Sequence, residues 1–567
     1  MTKTAKLLSE YIQNEEYAKA HILLLQATDA EKDDSFYALA ADLMLREGLE
    51  VRFFEVLREG LQRNFRNYEL YVLLGEYYLS EDTEKALTCL SQALLCCEEE
   101  EDRNTILGMK QDLKERAGVE ERKTAFIIPL IDTDSAVKLC VDTLCISIPE
   151  DSREIIAVAG DGTSEEALRI VQEDGAVTLV TTEGNDYGHL CNVGASAAPP
   201  EADLFFVEPD TMLLPNTFLY LKLGMEAETG GISGMSNIAY GGQRLKEKVT
   251  SYEEATRIGQ AVNLPSLDAV EERFCLCEFA LLITRGAWEE SGGFDETLGS
   301  DCYEAFDLGL RLFKSGYKLQ VCHNSFCVRT DTKSFERRDV TKFREKWGFN
   351  VVYYMNARDD LVDRFTCQKN APIRVLEVGC GMGVTLQHIL HRFPHAQVHG
   401  IELCEEVTGF GKLQETIRQG NIEEMALDYE EDSLDYILFG DVLEHLRDPH
   451  AVLKKLRPFL KESGEILASI PNLMHISVLS ELIRGNFTYQ DEGLLDRTHI
   501  HFFTKNEIER MFDSCGFETM EYISIRVPES SPEETATLQK LTEISGAADE
   551  KEFRAFQYLV RAKKKGC

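Results

Sequence analysis

The chain runs to 567 residues, too long for a single hydrophobic core, so several domains are expected. Its 44% apolar and 9% aromatic content belongs to a folded globular protein rather than a disordered one. A formal net charge of −39 argues against nucleic acid and anionic membrane as partners, because both repel an acidic surface, but leaves room for phosphorylated ligands in local basic pockets.

There is no signal-like N-terminal segment and no apolar run near the roughly 18 residues that span a bilayer, so a cytoplasmic location without a membrane span is expected. The 16 cysteines are scattered, with a Cys-x-Cys pair at 275 and 277, neighbours at 96 and 97, and no Cys-x-x-Cys. They read as reduced structural thiols, and a zinc site is not expected.

Residues 1 to about 118 carry helical periodicity with almost no strand pattern. In Tyr68–Tyr78 followed by Glu84–Ala93, Gly75, Ala86 and Ala93 are small where two antiparallel helices must approach. Tyr71, Leu74 and Tyr78 fill the gaps at helical spacing. The pair resembles a tetratricopeptide repeat with an inter-helix turn one residue short, and 17–25 and 36–44 look like degenerate copies. The resemblance implies a stacked array with a face for a protein partner; a plain helical bundle is the simpler reading. The acidic run 98–102 reads as a solvated helix end.

At Lys123 the period changes. Ala125–Ile131 and Glu154–Ala159 are apolar strands separated by a helix, and strand–helix alternation continues to about 330, the pattern of a parallel α/β sheet. Four segments follow in order: Gly160-Asp161-Gly162-Thr163, Asn185 to Gly194 with Asn192, Glu208-Pro-Asp210-Thr211, and Gly292–Glu296 leading to Glu304-Ala-Phe-Asp307-Leu-Gly-Leu-Arg311, with Val321-Cys-His323 beyond. This ordered set resembles a family 2 glycosyltransferase of the GT-A nucleotide-sugar fold, over about 122–330. The resemblance implies a nucleotide-sugar donor, with Asp161 and Asn192 on the nucleotide. It also implies a divalent cation, manganese or magnesium, on Asp210 with Glu208 and His323, since charge on a departing diphosphate must be neutralised. Where the family reads Glu-Asp-x-Asp-Leu and places its general base, this chain has Ala305. Glu304 or Asp301 would substitute, with Asp307 beside them, or the domain binds a sugar nucleotide without transferring it. Simpler readings stand beside these: Asp307 and Arg311 as a helix ion pair, and His323 as a hydrogen-bonded histidine at a strand end.

Residues 331–370 are charged and read as a helical bridge. From 371 a second α/β unit begins. Arg374–Val378 runs into glycines at 379, 381 and 383, and Val398-His-Gly-Ile-Glu402 ends in an acid 19 residues beyond Gly383. Glycines let a backbone approach a ligand where a Cβ would clash, and a strand-end carboxylate suits a ribose diol. A dinucleotide fingerprint would want a small residue at 384, where Val384 stands. The acid-x-Gly-x-Gly-x-Gly run resembles the first motif of class I S-adenosylmethionine-dependent methyltransferases, over about 371–526 plus a closing strand at 555–561. The resemblance implies a Rossmann-like fold with S-adenosylmethionine on Gly379, Gly381 and Gly383. Glu377 would orient the loop and help hold the methionine ammonium, Glu402 would take the ribose and Asn421 the adenine.

Gly440-Asp441-Val-Leu-Glu-His445-Leu446 would line the cofactor and acceptor pocket. A hydroxyl acceptor must lose a proton, and His445 and His499 are favoured as base over His501. The histidines could instead order loops, and Asp441 and Glu444 could serve as first-turn helix acids. Together the three parts predict a bifunctional cytosolic enzyme that adds a sugar to a glycan or glycoprotein acceptor and methylates a hydroxyl of it. By analogy this points to bacterial surface glycans or flagellin. The alternatives are a lone methyltransferase with a sugar-binding middle domain, or a scaffold.

Overall fold

The computed structural model describes residues 1–131, 133–245, 249, 251–299, 303–330, 340–354, 356–408, 416–525, 532–545 and 550–566. They divide into two compact units, Met1–Lys346 and Trp347–Cys567.

In the first unit the helical periodicity becomes α1 (Lys3–Gln13), α2 (Tyr17–Gln26), α3 (Asp34–Arg46), α4 (Glu50–Arg63), α5 (Tyr68–Tyr78), α6 (Thr83–Cys96) and α7 (Glu100–Ala117). Asp82 starts α6 by accepting from the Glu84 and Lys85 amides at 2.9 and 3.2 Å, which satisfies two of the helix's orphan donors. A Cβ on Gly75 would lie 3.3 Å from the Ala86 carbonyl and from Cys89 Cβ, so glycine permits the close α5–α6 crossing. Although the composition changes near 118, the helices and the following sheet share one apolar core. The fully buried Tyr71 hydroxyl donates to the Phe65 carbonyl at 2.6 Å and to Asn216 Oδ1 at 2.9 Å, tying α5 to the α/β part. Lys222 reaches both Glu84 of α6 (3.6 Å) and Asp203 (3.7 Å).

The sheet of this unit comprises β1 (Thr124–Pro129), β2 (Arg153–Ala159), β3 (Val177–Thr181), β4 (Asp203–Val207), β5 (Thr211–Leu213), β6 (Thr229–Ser236), β7 (Val270–Arg273), β8 (Ala280–Ile283) and β9 (Lys318–Arg329). Its order is β3-β2-β1-β4-β8-β6-β9-β5, with β7 also on β9. Strands β3, β2, β1 and β4 are parallel and β8 runs antiparallel to β4. Every residue of β1 and β4 is buried, as expected of strands covered on both faces. The loops after β2 and β4, which carry Asp161 and the Glu208–Asp210 pair, lie at the carboxyl ends of parallel strands, where open α/β sheets bind ligands.

The second unit begins inside the segment read as a bridge, with a one-turn element at Val351–Tyr353 and a short helix at Asp359–Val362. Its strands are β10 (Arg374–Val378), β11 (Gln397–Glu402), β12 (Ile417–Gln419), β13 (Leu434–Gly440), β14 (Leu460–Pro471), β15 (Phe517–Ile525) and β16 (Gln557–Lys564), in the order β12-β11-β10-β13-β14-β16-β15. The first five are parallel; β16 inserts antiparallel between β14 and β15. The closing strand starts two residues later than the sequence suggests and runs through the basic stretch to Lys564. The strand order reverses between β10 and β13, so the loops after these two strands face one crevice. Among the described residues, no helix is long and apolar enough to cross a membrane, and the cysteines are free thiols.

Candidate functional site

In the first unit, Asp161 follows β2 and its Oδ2 accepts from the Gly184 amide at 2.8 Å. Asn192 is spent on structure: its Nδ2 donates to the Phe294 carbonyl (3.0 Å) and Glu296 Oε1 (2.8 Å), and its Oδ1 accepts from the Phe294 amide (2.9 Å). It braces the Gly292–Glu296 turn, as His189 does through Glu296 Oε2 at 3.0 Å.

Glu208 and Asp210 are brought together at the end of β4, but by a cation the sequence reading did not consider. Arg329, at the end of β9, donates to Glu208 Oε2 and reaches Asp210 Oδ1 and Oδ2 at 3.2 Å. Its burial opposes its charge, yet the two carboxylates hold its pKa above the ordinary arginine value. His323 does not join them. Its Nε2 sits 2.7 Å from Glu271 Oε2, which also takes Arg273 at 3.1 Å, and Glu208, Asp210 and His323 do not form a cluster with ligand atoms within 4.8 Å. The proposed metal trio is therefore split between two ion-pair networks.

Glu304 and Asp307 are buried on the helix Glu304–Lys314. Asp307 Oδ2 accepts from Arg311 Nε at 2.9 Å and Oδ1 pairs with Lys346 at 2.5 Å, so the helix ion pair is present and extended. Asp301 lies outside the described residues.

In the second unit, Gly379, Gly381 and Gly383 have φ of +71°, +55° and +86°, left-handed values that disfavour other residues. Glu402 secures the loop. Its Oε2 accepts from the Gly381 amide and its Oε1 from the Cys404 amide, both at 2.8 Å. Glu377, at the fourth position of β10, is 3% exposed, and its Oε2 has no hydrogen-bond partner. Burial pushes its pKa up to about 8, opposed by the Thr385 hydrogen bond and by Arg358. Asn421 Oδ1 accepts from the Glu423 amide at 3.0 Å, closing its own turn.

Asp441 leaves β13 at φ +56° outside any helix, so it is not a first-turn acid. Its Oδ1 accepts from Ser469 Oγ at 2.7 Å and its Oδ2 from Arg358 Nη1 at 2.9 Å. Arg358 also grips Asp360 bidentately at 2.9 and 2.8 Å. Sequence reasoning missed Arg358 and Tyr354 because both fall in the supposed bridge. The Tyr354 ring lies over the glycine loop: a Cβ on Gly381 would stand 2.4 Å from its Cδ1. Its hydroxyl pKa is raised by burial and by Glu402.

His445 and His499 meet with ring centroids 4.8 Å apart at 68°. His445 Nδ1 is 3.2 Å from the Thr498 carbonyl and His499 Nδ1 is 3.2 Å from the Leu494 carbonyl. A carbonyl only accepts, so each Nδ1 carries the proton and each Nε2 keeps a lone pair. Burial, then His445, lowers the His499 pKa and favours its neutral form. His501 instead contacts the Arg447 carbonyl at 3.2 Å.

The loop fits an adenosylmethionine group: a glycine cradle at a strand end, a buried carboxyl with an unsatisfied oxygen, and a second acid bracing the loop. Residues 351–522 match a family model described as a methyltransferase domain. A malonyl-[acyl-carrier protein] O-methyltransferase of Bacillus cytotoxicus is 34% identical over 106 residues, covering 18% of this chain and 36% of that protein. A ubiquinone biosynthesis O-methyltransferase of Aeromonas salmonicida is 25% identical over 149 residues, 25% of this chain and 62% of that one. The chain thus spans between about a third and three-fifths of the length of these curated relatives. A solved S-adenosylmethionine-dependent methyltransferase from Archaeoglobus fulgidus aligns at 18% identity over 39% of this chain and 98% of that chain, with a TM-score of 0.29. With the reversed strand order and the glycine loop, the family match identifies residues 351–522 as a class I S-adenosylmethionine-dependent methyltransferase domain.

Proposed function

We propose that this chain is an S-adenosylmethionine-dependent O-methyltransferase acting on a sugar hydroxyl. The observation that carries the reading is the pair of Nδ1-protonated imidazoles: His445 just after β13, the neighbour of the glycine-loop strand β10, and His499 from the loop before the helix Lys505–Ser514, brought to within 4.8 Å of it. The names of the two relatives above support oxygen as the acceptor atom.

S-adenosylmethionine supplies a methyl group on sulfonium. Gly379, Gly381 and Gly383 would pass its backbone-hugging portion, Glu377 would meet its ammonium, Glu402 the ribose and Asn421 the adenine edge. Asp441, fixed by Ser469 and Arg358, would set the floor between cofactor and acceptor. The acceptor hydroxyl would give its proton to the Nε2 of His445 or His499 as its oxygen takes the methyl. Positioning supplies much of the rate, and a well-placed base adds about 10²–10⁴-fold.

The reading of the acceptor as a sugar rests on the first unit, whose motifs resemble a GT-A glycosyltransferase and whose helices resemble tetratricopeptide repeats that would recruit a protein or glycoprotein partner. Two roles follow for that unit: transfer from a nucleotide sugar with manganese or magnesium, or non-catalytic binding of a nucleotide sugar or glycan. Arg329 favours binding, because it already neutralises Glu208 and Asp210, the acids a cation would need. In either role, one chain carrying both functions raises the effective concentration of one site's ligand at the other.

Purified full-length protein incubated with a panel of nucleotide sugars and manganese tests the choice. Nucleoside diphosphate release that disappears in Asp210→Ala would support transfer; no release with any donor, together with calorimetric binding of a nucleotide sugar or glycan, would support binding alone. Labelled methyl incorporation into glycan acceptors tests the methyltransferase reading. It fails if only nitrogen or carbon acceptors are methylated.

A further inference from the structure

Glu444 precedes His445 in the chain and lies close to His499 in the fold. It is 1% exposed, and neither carboxylate oxygen has a hydrogen-bond partner. Burying a carboxyl without partners is costly unless something else completes it. One ligand atom from each of Glu444, His445 and His499 lies within 4.8 Å of the other two.

The surroundings hold this trio in place. Glu444's own carbonyl accepts from the Ile500 and His501 amides at 2.9 and 3.0 Å, pinning the His499 loop to the Glu444 peptide. Asp496 Oδ1 accepts from the Thr498 amide (2.8 Å) and hydroxyl (2.6 Å), shaping the turn just before His499. Both imidazoles donate Nδ1–H to backbone carbonyls, the outer contact that fixes a metal-ligating histidine in its Nε2 form.

We infer that Glu444, His445 and His499 form a divalent-metal site that holds the methyl acceptor through its hydroxyl oxygens. Two imidazoles and one carboxylate suit Zn²⁺, Mn²⁺ or Fe²⁺ better than Mg²⁺, which prefers oxygen ligands alone. Three protein ligands leave positions open, and a vicinal diol of a sugar would fill two of them as a chelate. The metal lowers the pKa of the bound hydroxyl. With both Nε2 lone pairs on the metal, this arrangement replaces the base role given to His445 and His499 above: the hydroxyl proton leaves to solvent, the oxygen forms the new C–O bond, and the S–CH₃ bond breaks to give the thioether. This use of the metal rests on the O-methyltransferase reading; the metal site itself does not. The pattern was not expected from cysteine spacing because its ligands are two histidines 54 residues apart and an acid beside one of them.

The test uses full-length protein stripped with a chelator, then titrated with Mn²⁺ followed by electron paramagnetic resonance and with Co²⁺ followed by its visible spectrum. Manganese avoids the cysteines, and the cobalt spectrum separates nitrogen–oxygen ligation from thiolate. The expected result is one ion per chain, with affinity falling at least tenfold in Glu444→Gln and in His499→Asn, each still binding S-adenosylmethionine. Chelation should also abolish methyl transfer, and Mn²⁺ should restore it. Wild-type protein that binds no ion, or variants that bind it equally well, would overturn the site. Ion binding lost in the variants but without O-methylation of any acceptor would keep the site and remove the O-methyl reading.

Discussion

Glu377 offers a measurement that joins structure to cofactor binding. With a pKa pushed up to about 8, its carboxyl is protonated in about nine-tenths of the cofactor-free molecules at pH 7. An ammonium placed beside it favours the ionised form, so binding S-adenosylmethionine should expel that proton. The expected release is about 0.9 proton at pH 7, about 0.5 at pH 8 and about 0.1 at pH 9. Isothermal titration in two buffers of different ionisation enthalpy at each pH gives this number as a slope. The same shift acts on stability. A raised carboxyl pKa means the folded state holds a proton that the unfolded state has already lost, so stability falls as pH rises from about 4.5 to 8 and levels off above. The slope is about 1.4 kcal/mol per pH unit for this one group within that window. Glu377→Gln, isosteric with the protonated acid, should remove both effects while leaving the protein folded. A slope of zero for wild type at pH 7, or an unchanged slope in Glu377→Gln, would refute the reasoning.

Other consequences are simpler to test. Gly381→Ala must place a Cβ 2.4 Å from the Tyr354 ring at a φ of +55°, so S-adenosylmethionine affinity should fall at least about tenfold by titration. His499→Ala, which removes either a proton acceptor or a metal ligand beside the acceptor, should lower kcat by at least about 10² with cofactor affinity unchanged, read by separate kinetic and binding measurements. Arg329→Met would strand the buried Glu208–Asp210 pair and should cost about 3–5 kcal/mol, seen as a lower unfolding temperature of the first unit. Tyr71→Phe removes the hydroxyl that joins α5 to Asn216 and should destabilise by about 1–3 kcal/mol, read as a lower denaturant midpoint.

The strand–glycine–helix–strand–acid run at 374–402 was legible because its causes are local. Glycine tolerates left-handed φ, a short continuous apolar run marks a strand buried on both faces, and an acid at a strand end has few reasons to be there. The helical character of the first 117 residues followed from periodicity in the same way. The extent of the units was less legible. The helices share their core with the sheet, and the second unit starts at 347 rather than 371, because apolar faces find partners across distances that no window of sequence contains.

The amino-acid order alone determined where a cofactor loop would form and which acids and histidines stand near strand ends. Only the tertiary structure decided what those side chains answer to. Arg329 claims Glu208 and Asp210 across about 120 residues, and Arg358 claims Asp441 across 83. Glu444 is left buried beside two imidazoles. The reason is physical: periodicity and backbone preference act between neighbours in the chain, whereas charge pairing and burial are settled by neighbours in space.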